Sequence, residues 1–254
     1  MSGFNRMKIL LIDTCGTTGS VALADTNLSP AIVAITSLPG RTASERLVPA
    51  IKQLTLSGGF ELRSLDAIAV VSGPGSFTGA RVGLSAAKGL CEALNVPLVA
   101  ISRLAVLAHL AAAPPAARVH ALLDAGRGEF YHGEYIDGIC LCEALLTRDE
   151  LLAALAQSSP GLGSVEPAAV VVASEQSVAQ SVAALTPHLV ADPTAEDALP
   201  LALRSIHQRD FDNPATLDAN YLRRTDAQIF AKPCASAPLR PDPARIHPGA
   251  PANE

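Results

Sequence analysis

The stretch that most constrains this chain runs from Leu65 to Val96. An apolar run, Leu65 to Val71, meets Ser-Gly-Pro-Gly-Ser-Phe-Thr-Gly at 72–79 and passes into a segment with helical periodicity. Gly73 and Gly75 can take backbone angles closed to other residues and Pro74 fixes its own φ, so the chain can reverse sharply between a strand and a helix over 77–95. Ser76 or Thr78 is placed to cap that helix. With Arg81 at zero on a helical wheel, Ser85, Lys88 and Glu92 fall within about 40° of it, while Gly79, Gly83, Ala86, Leu90 and Leu94 fall opposite. Glycine costs roughly 1 kcal/mol relative to alanine inside a helix, so two of them imply that something packs very closely against this face. The loop reads either as a tight strand-to-helix connection or as an anion-binding turn at a helix N-terminus. No Lys-Ser or Lys-Thr follows the glycines, which excludes a phosphate loop of the usual kind, and local physics favours the plain connection.

The rest of the chain supplies alternating strands and helices. Lys8 to Thr14 is a continuous apolar run ending in an acid, as a central buried strand requires. Cys15 to Ser20 is a glycine-bearing turn, Val21 to Ala24 a returning strand, and Ala31 to Ser37 a third. Thr42-Ala-Ser-Glu45 has capping-box spacing, and Leu47, Ile51 and Leu54 continue a helix over 43–57 to the stop at Gly58-Gly59, with Pro49 inside it. Pro97 to Ile101 is a further strand. From residue 119 the plan recurs: an apolar strand, Asp124 where Asp13 stood, a glycine turn, and a strand returning to Tyr135, which points to two related halves. Helices over 147–156, 177–185 and 199–207 and a short strand at 170–173 follow. Residues 157–168 read as a loop. The last 24 residues, with their prolines and little periodicity, read as a disordered tail.

Composition narrows the function. Of 254 residues 49% are hydrophobic and only 17% charged, with a net charge of −5, so no broad basic surface exists to bind nucleic acid unaided. Aromatics at 4% argue against a base-stacking platform. Met7 to Ile12 runs straight into Asp13, which gives neither a secretory signal nor a membrane span; a cytoplasmic protein is expected. The cysteines, Cys15, Cys91, Cys140, Cys142 and Cys234, lack zinc or redox spacing and read as reduced, mostly buried thiols.

Asp13 and Asp124 end apolar strands, where a carboxylate can orient a metal-bound water or a hydroxyl. Each can equally cap its own glycine turn, and Asp-x-Gly at 124–126 favours that for Asp124. The six histidines show no metal-binding spacing. Ser72, Ser76 and Thr78 lack the surroundings of a hydrolase nucleophile.

Ile12-Asp-Thr14, Ser44-Glu-Arg-Leu-Val-Pro49, Gly73-Pro-Gly-Ser-Phe-Thr-Gly-Ala-Arg-Val-Gly83, Ala87-Lys-Gly89, Pro97 to Ser102, Leu123-Asp-Ala-Gly-Arg-Gly-Glu129 and Tyr221-Leu-Arg223 together resemble the TsaB, or YeaZ-like, family. The resemblance covers about residues 8 to 225 and implies an α/β, actin-like and sugar-kinase-like (ASKHA) fold of two similar subdomains. On that basis residues 1–108 form the first subdomain, 109–230 the second and 231–254 a Pro-rich tail. The resemblance further implies an accessory subunit, itself not an enzyme, that supports a TsaD-like paralogue in making threonylcarbamoyladenosine at position 37 of tRNA. A TsaE-like ATPase joins the assembly, tRNA is met only through it, and the chain forms a homodimer when alone. The helices over 43–57 and 77–95 are then the partner-binding pair, with Leu47, Ile51, Ala80, Gly83, Leu84 and Cys91 at the interface and Arg81 and Lys88 at its rim.

Two departures from the family pattern are legible. The helix over 43–57 has no histidine, which counts against metal-dependent transfer by this chain. Ser174-Glu-Gln-Ser177 stands where the family often has Gly-Asp-Gly, so no cofactor is expected; if nucleotide bound at all, Asp13 and Thr14 would meet it. The alternative is a small-molecule kinase or ATPase of the same fold, with Asp13 orienting magnesium.

Overall fold

The computed structural model describes residues 6–39, 42–157 and 169–222. The expected tail and nearly all of the expected loop at 157–168 lie outside these residues. The first half contributes β1 (Lys8–Asp13), β2 (Gly19–Asp25), β3 (Ile32–Leu38), α1 (Ala43–Ser57), β4 (Ala67–Gly73), α2 (Phe77–Leu94) and β5 (Leu98–Ser102). After α3 (Arg103–Leu110) come β6 (Arg118–Gly126), β7 (Glu129–Ile136), β8 (Ile139–Thr147), α4 (Arg148–Gln157), β9 (Val170–Ala173), α5 (Gln176–Ser181), β10 (His188–Leu189) and α6 (Leu199–Gln208).

The duplication is one of topology. The first sheet has the order β3-β2-β1-β4-β5 and the second β8-β7-β6-β9-β10. In each, the first three strands in chain order form an antiparallel meander, and the last two add parallel to the first. Asp13 and Asp124 therefore sit at matching ends of the two central strands, β1 and β6, as the recurring motif predicted.

Chain order does not divide the core in the same way. Leu104, Leu107 and Ala108 of α3 are buried with Val119, Leu123 and Tyr135 under the second sheet. Ala195, Ala198, Leu199 and Ala202, at and before α6, return to the core of the first. The 108/109 division thus runs through a helix.

One strand of the second sheet went unread, and one expected helix cap forms differently. The segment Ile139–Thr147 forms an edge strand, and the hairpin before it turns on Asp137 at φ 51° and Gly138 at φ 73°. Asp-Gly between apolar runs is a strong hairpin signal, so β8 was available to sequence reasoning. Residues 139–142 of this edge strand are exposed, and Cys140 and Cys142 with them; among the described cysteines, Cys15 and Cys91 match the expectation of buried thiols. The capping box at α1 is not made: the Thr42 hydroxyl donates to Pro39 O at 2.7 Å, and its side chain accepts no bond from the helix.

Candidate functional site

Segments of both halves meet where the halves face each other. The turn after β1 and residues 75–79, which lead into α2, approach from the first half, the Leu123–Ala125 end of β6 and Glu175 from the second, around a cavity of about 810 Å³. Gly73 and Gly75 adopt φ +117° and +148°, values a side chain rarely tolerates. A Cβ on Gly75 would lie 2.4 Å from Cys15 O, and Ser76 N donates to that carbonyl at 2.8 Å, so the loop is pinned to the turn after β1. The Ser76 hydroxyl accepts from Gly79 N at 3.1 Å and caps α2, as expected.

The glycine face of α2 packs against its own sheet. A Cβ on Gly79 would stand 1.9 Å from Thr14 O, and one on Gly83 2.3 Å from Thr14 Oγ1. The Thr14 hydroxyl donates to Gly79 O at 2.6 Å. This bears on the residues expected at the partner interface. Ala80, Gly83, Leu84 and Cys91 of α2, with Leu47 and Ile51 of α1, are all buried within this chain. Burial raises the Cys91 thiol to about 12. The wheel put the buried stripe too far round, because the sheet takes Ala80, Leu84, Ala87 and Cys91 together with the glycines, leaving Ala86, Leu90 and Leu94 half-buried.

What α1 and α2 present outward is a groove of about 460 Å³ in which Val48, Phe77, Arg81 and Val82 are prominent. Val48 is 67% and Phe77 48% exposed. Arg81 and Lys88 are tethered by the segment after α6. Arg81 Nε donates to Tyr221 Oη at 2.6 Å and its guanidinium lies 3.8 Å over the Phe77 ring, while Lys88 Nζ donates to Leu217 O. Arg223 lies outside the described residues.

The acids at the strand ends behave differently from each other. Asp124 is exposed; its Oδ1 accepts from Gly126 N at 2.7 Å, the turn-capping role favoured for it, and its backbone N donates to Glu175 Oε2 at 2.9 Å. Asp13 is buried, accepts from Cys15 N at 2.7 Å, and faces Arg103 Nε 3.5 Å away. Burial lifts the Asp13 carboxyl above the ordinary carboxylate range, and the nearby guanidinium only partly offsets this. Arg103 Nη2 in turn donates to Asp192 Oδ1 at 2.9 Å. The polar side-chain atoms of Asp13 and Thr14, the residues expected to meet a nucleotide, are thus engaged within the chain.

Sequence reasoning did not single out Arg103. A signal existed: one arginine interrupts the apolar run Leu98 to Ala108, and a cation there needs a buried counter-ion. A second pair went unread. His120 and His132, scattered in sequence, lie on adjacent strands and are both buried, with His120 Nδ1 2.9 Å from His132 Nε2. Burial and then the neighbouring His132 lower His120 to about 4. Among the described residues no group of three or more metal-ligating side chains is placed to hold a metal.

Two five-stranded sheets of the same strand order, set about a cleft, define a protein of the actin-like, sugar-kinase-like class. The family model described as "TsaD: tRNA N6-adenosine threonylcarbamoyltransferase" matches residues 35–151. The chain is 36% identical over 130 residues to the tRNA threonylcarbamoyladenosine biosynthesis protein TsaB of Escherichia coli K12, covering 51% of this chain and 55% of that one. It is 34% identical over 135 residues to the Bacillus subtilis protein of the same name, covering 51% and 55%. The chain thus spans about half the length of these curated relatives. A solved structure, YeaZ from Pseudomonas aeruginosa, superposes with a TM-score of 0.65 at 28% identity, over 85% of this chain and all of that one. Within its class, the chain is similar to TsaB proteins over about half its length and to YeaZ from Pseudomonas aeruginosa over 85% of it.

Proposed function

We propose that this chain is a non-catalytic subunit in the biosynthesis of threonylcarbamoyladenosine in tRNA, where it binds and stabilises a TsaD-type transferase. The reading rests on the TsaB relatives together with one feature of the surface: the apolar groove between α1 and α2, open at Val48 and Phe77. Apolar side chains in a shallow groove between two helices suit a facing helix pair. In the same assembly a TsaE-type ATPase joins the pair, tRNA is met through the complex, and without its partner the chain closes on itself through this face as a homodimer. The low charge of the chain agrees with tRNA being held elsewhere. No described helix is long and apolar enough to cross a membrane, in keeping with a cytoplasmic site of action. A kinase reading would need a free carboxylate at Asp13, and the pairing with Arg103 speaks against it.

The test is association with the TsaD-type protein of the same organism, measured by light scattering on purified components. Val48→Glu changes an exposed residue, so it should abolish the complex while leaving the melting temperature of the free chain unchanged. A wild-type chain that forms no complex, with or without ATP and the TsaE-type ATPase, would refute the proposal. Gly83 and Leu84 are unsuitable probes, being packed against the chain's own sheet.

A further inference from the structure

A fold of the kinase class implies a divalent cation near the carboxylate that ends its first strand. The residues of this chain do not fit one. A magnesium ion takes oxygen ligands in an octahedron at about 2.0–2.1 Å and keeps several waters. Asp13 is 1% exposed, one of its oxygens accepts from Cys15 N, and the other faces a guanidinium 3.5 Å away.

We propose that Arg103 is a built-in cation standing where a fold of this kind takes a divalent metal: it balances Asp13 and Asp192, fastens the two halves together, and excludes a metal-bound nucleotide from the cleft. Arg103 opens α3 and reaches Asp13 at the end of β1 in the first half and Asp192, just after β10, in the second. Its Nη2 also lies 3.4 Å from Pro193 O. The first turn of a helix is electrostatically unfavourable for a cation, so the two carboxylates must hold it there. The turn after β1 is shaped around the guanidinium, since a Cβ on Gly16 would lie 2.6 Å from Nη2. Nε, although buried, has no hydrogen-bond partner, so charge rather than hydrogen bonding holds that end of the group. Asp124 and Glu175, joined by a 2.9 Å hydrogen bond, add two further acids to the same cleft wall. Removing Arg103 would leave these carboxylates without a buried counter-ion, the condition in which a divalent cation is taken up.

This inference concerns the cleft alone and stands whether or not the chain joins a transferase. The experiment compares the full chain with Arg103→Met and with the double variant Arg103→Met/Asp13→Asn. Each is titrated with Mn²⁺, read by the electron paramagnetic resonance of the free ion, and melted with and without Mn²⁺. Wild type should take up no Mn²⁺ in the cleft. Arg103→Met should melt lower, bind one Mn²⁺ at least about tenfold more tightly than wild type, and regain melting temperature with it. The double variant should lose the Mn²⁺ site and recover most of the melting temperature, because removing both charges of a buried pair costs far less than removing one. Uptake of Mn²⁺ or Mn²⁺–ATP by wild type that Asp13→Asn abolishes would overturn the proposal. So would an Arg103→Met variant that melts as wild type or takes up no Mn²⁺. If Arg103→Met does not fold, a folded double variant supports the proposal and an unfolded one overturns it.

Discussion

One substitution made at two positions of the same helix should have opposite effects. Gly79 and Gly89 both lie in α2, and Gly→Ala in a helix interior ordinarily stabilises by up to about 1 kcal/mol. At Gly89 a Cβ meets nothing within 4 Å, so that gain should appear in full. At Gly79 the same carbon would stand 1.9 Å from Thr14 O, a backbone atom that cannot rotate away. The helix must shift off β1, which strains a packed core by about 1–3 kcal/mol and stretches the bond from the Thr14 hydroxyl to Gly79 O, worth a further 0.5–1.5 kcal/mol. Set against the propensity gain, Gly79→Ala should destabilise by about 2 kcal/mol, which for a chain of this size lowers the melting temperature by roughly 4–8 °C. Thermal and urea denaturation of both variants provide the assay. A Gly79→Ala protein as stable as wild type, or a Gly89→Ala protein equally destabilised, would refute the claim that contact with Thr14 explains the glycine face.

Stability should also fall with acid through the histidine pair. His120 stands at about 4 against an ordinary 6.5, so the folded state binds its proton later than the unfolded state does. The stability it carries is fully present above about pH 6.5 and drains away towards pH 4, by about 3 kcal/mol in total. Urea midpoints measured from pH 7 to pH 4.5 should show this fall and show less of it in His120→Leu; an equal fall in that variant would disprove the assignment. Ser76→Ala removes the cap on α2 and should cost about 1 kcal/mol in urea unfolding, where Ser76→Asp should cost little. Under the proposed function, Val48→Glu should prevent association with a TsaD-type transferase without moving the melting temperature of the free chain, as light scattering and a melting curve together would reveal.

Much of the fold could be read from local chemistry. The strand, Gly-Pro-Gly turn, Ser76 cap and helix follow from rules that act over a few residues, and so does the need for close packing at Gly79 and Gly83. The recurrence of strand, acid and glycine turn at Asp13 and Asp124 disclosed the two halves, because a repeated topology repeats its local signals. Asp137-Gly138 could have disclosed β8 by the same logic. The tertiary structure alone decided which face of α2 is buried. Periodicity gives the spacing of a stripe but not the direction of the sheet that covers it, and that direction sends Ala80, Leu84 and Cys91 inward while leaving Val82 and Phe77 at the groove. It also decided the character of the cleft. Asp13, Arg103 and Asp192 are separated by 89 to 179 positions along the chain, and His120 and His132 share no recognised motif. Coulombic pairing depends on distances of a few ångströms that only the folding of one half against the other creates. An acid at a strand end is thus a property of this sequence, whereas its neutralisation by an arginine is a property of the fold.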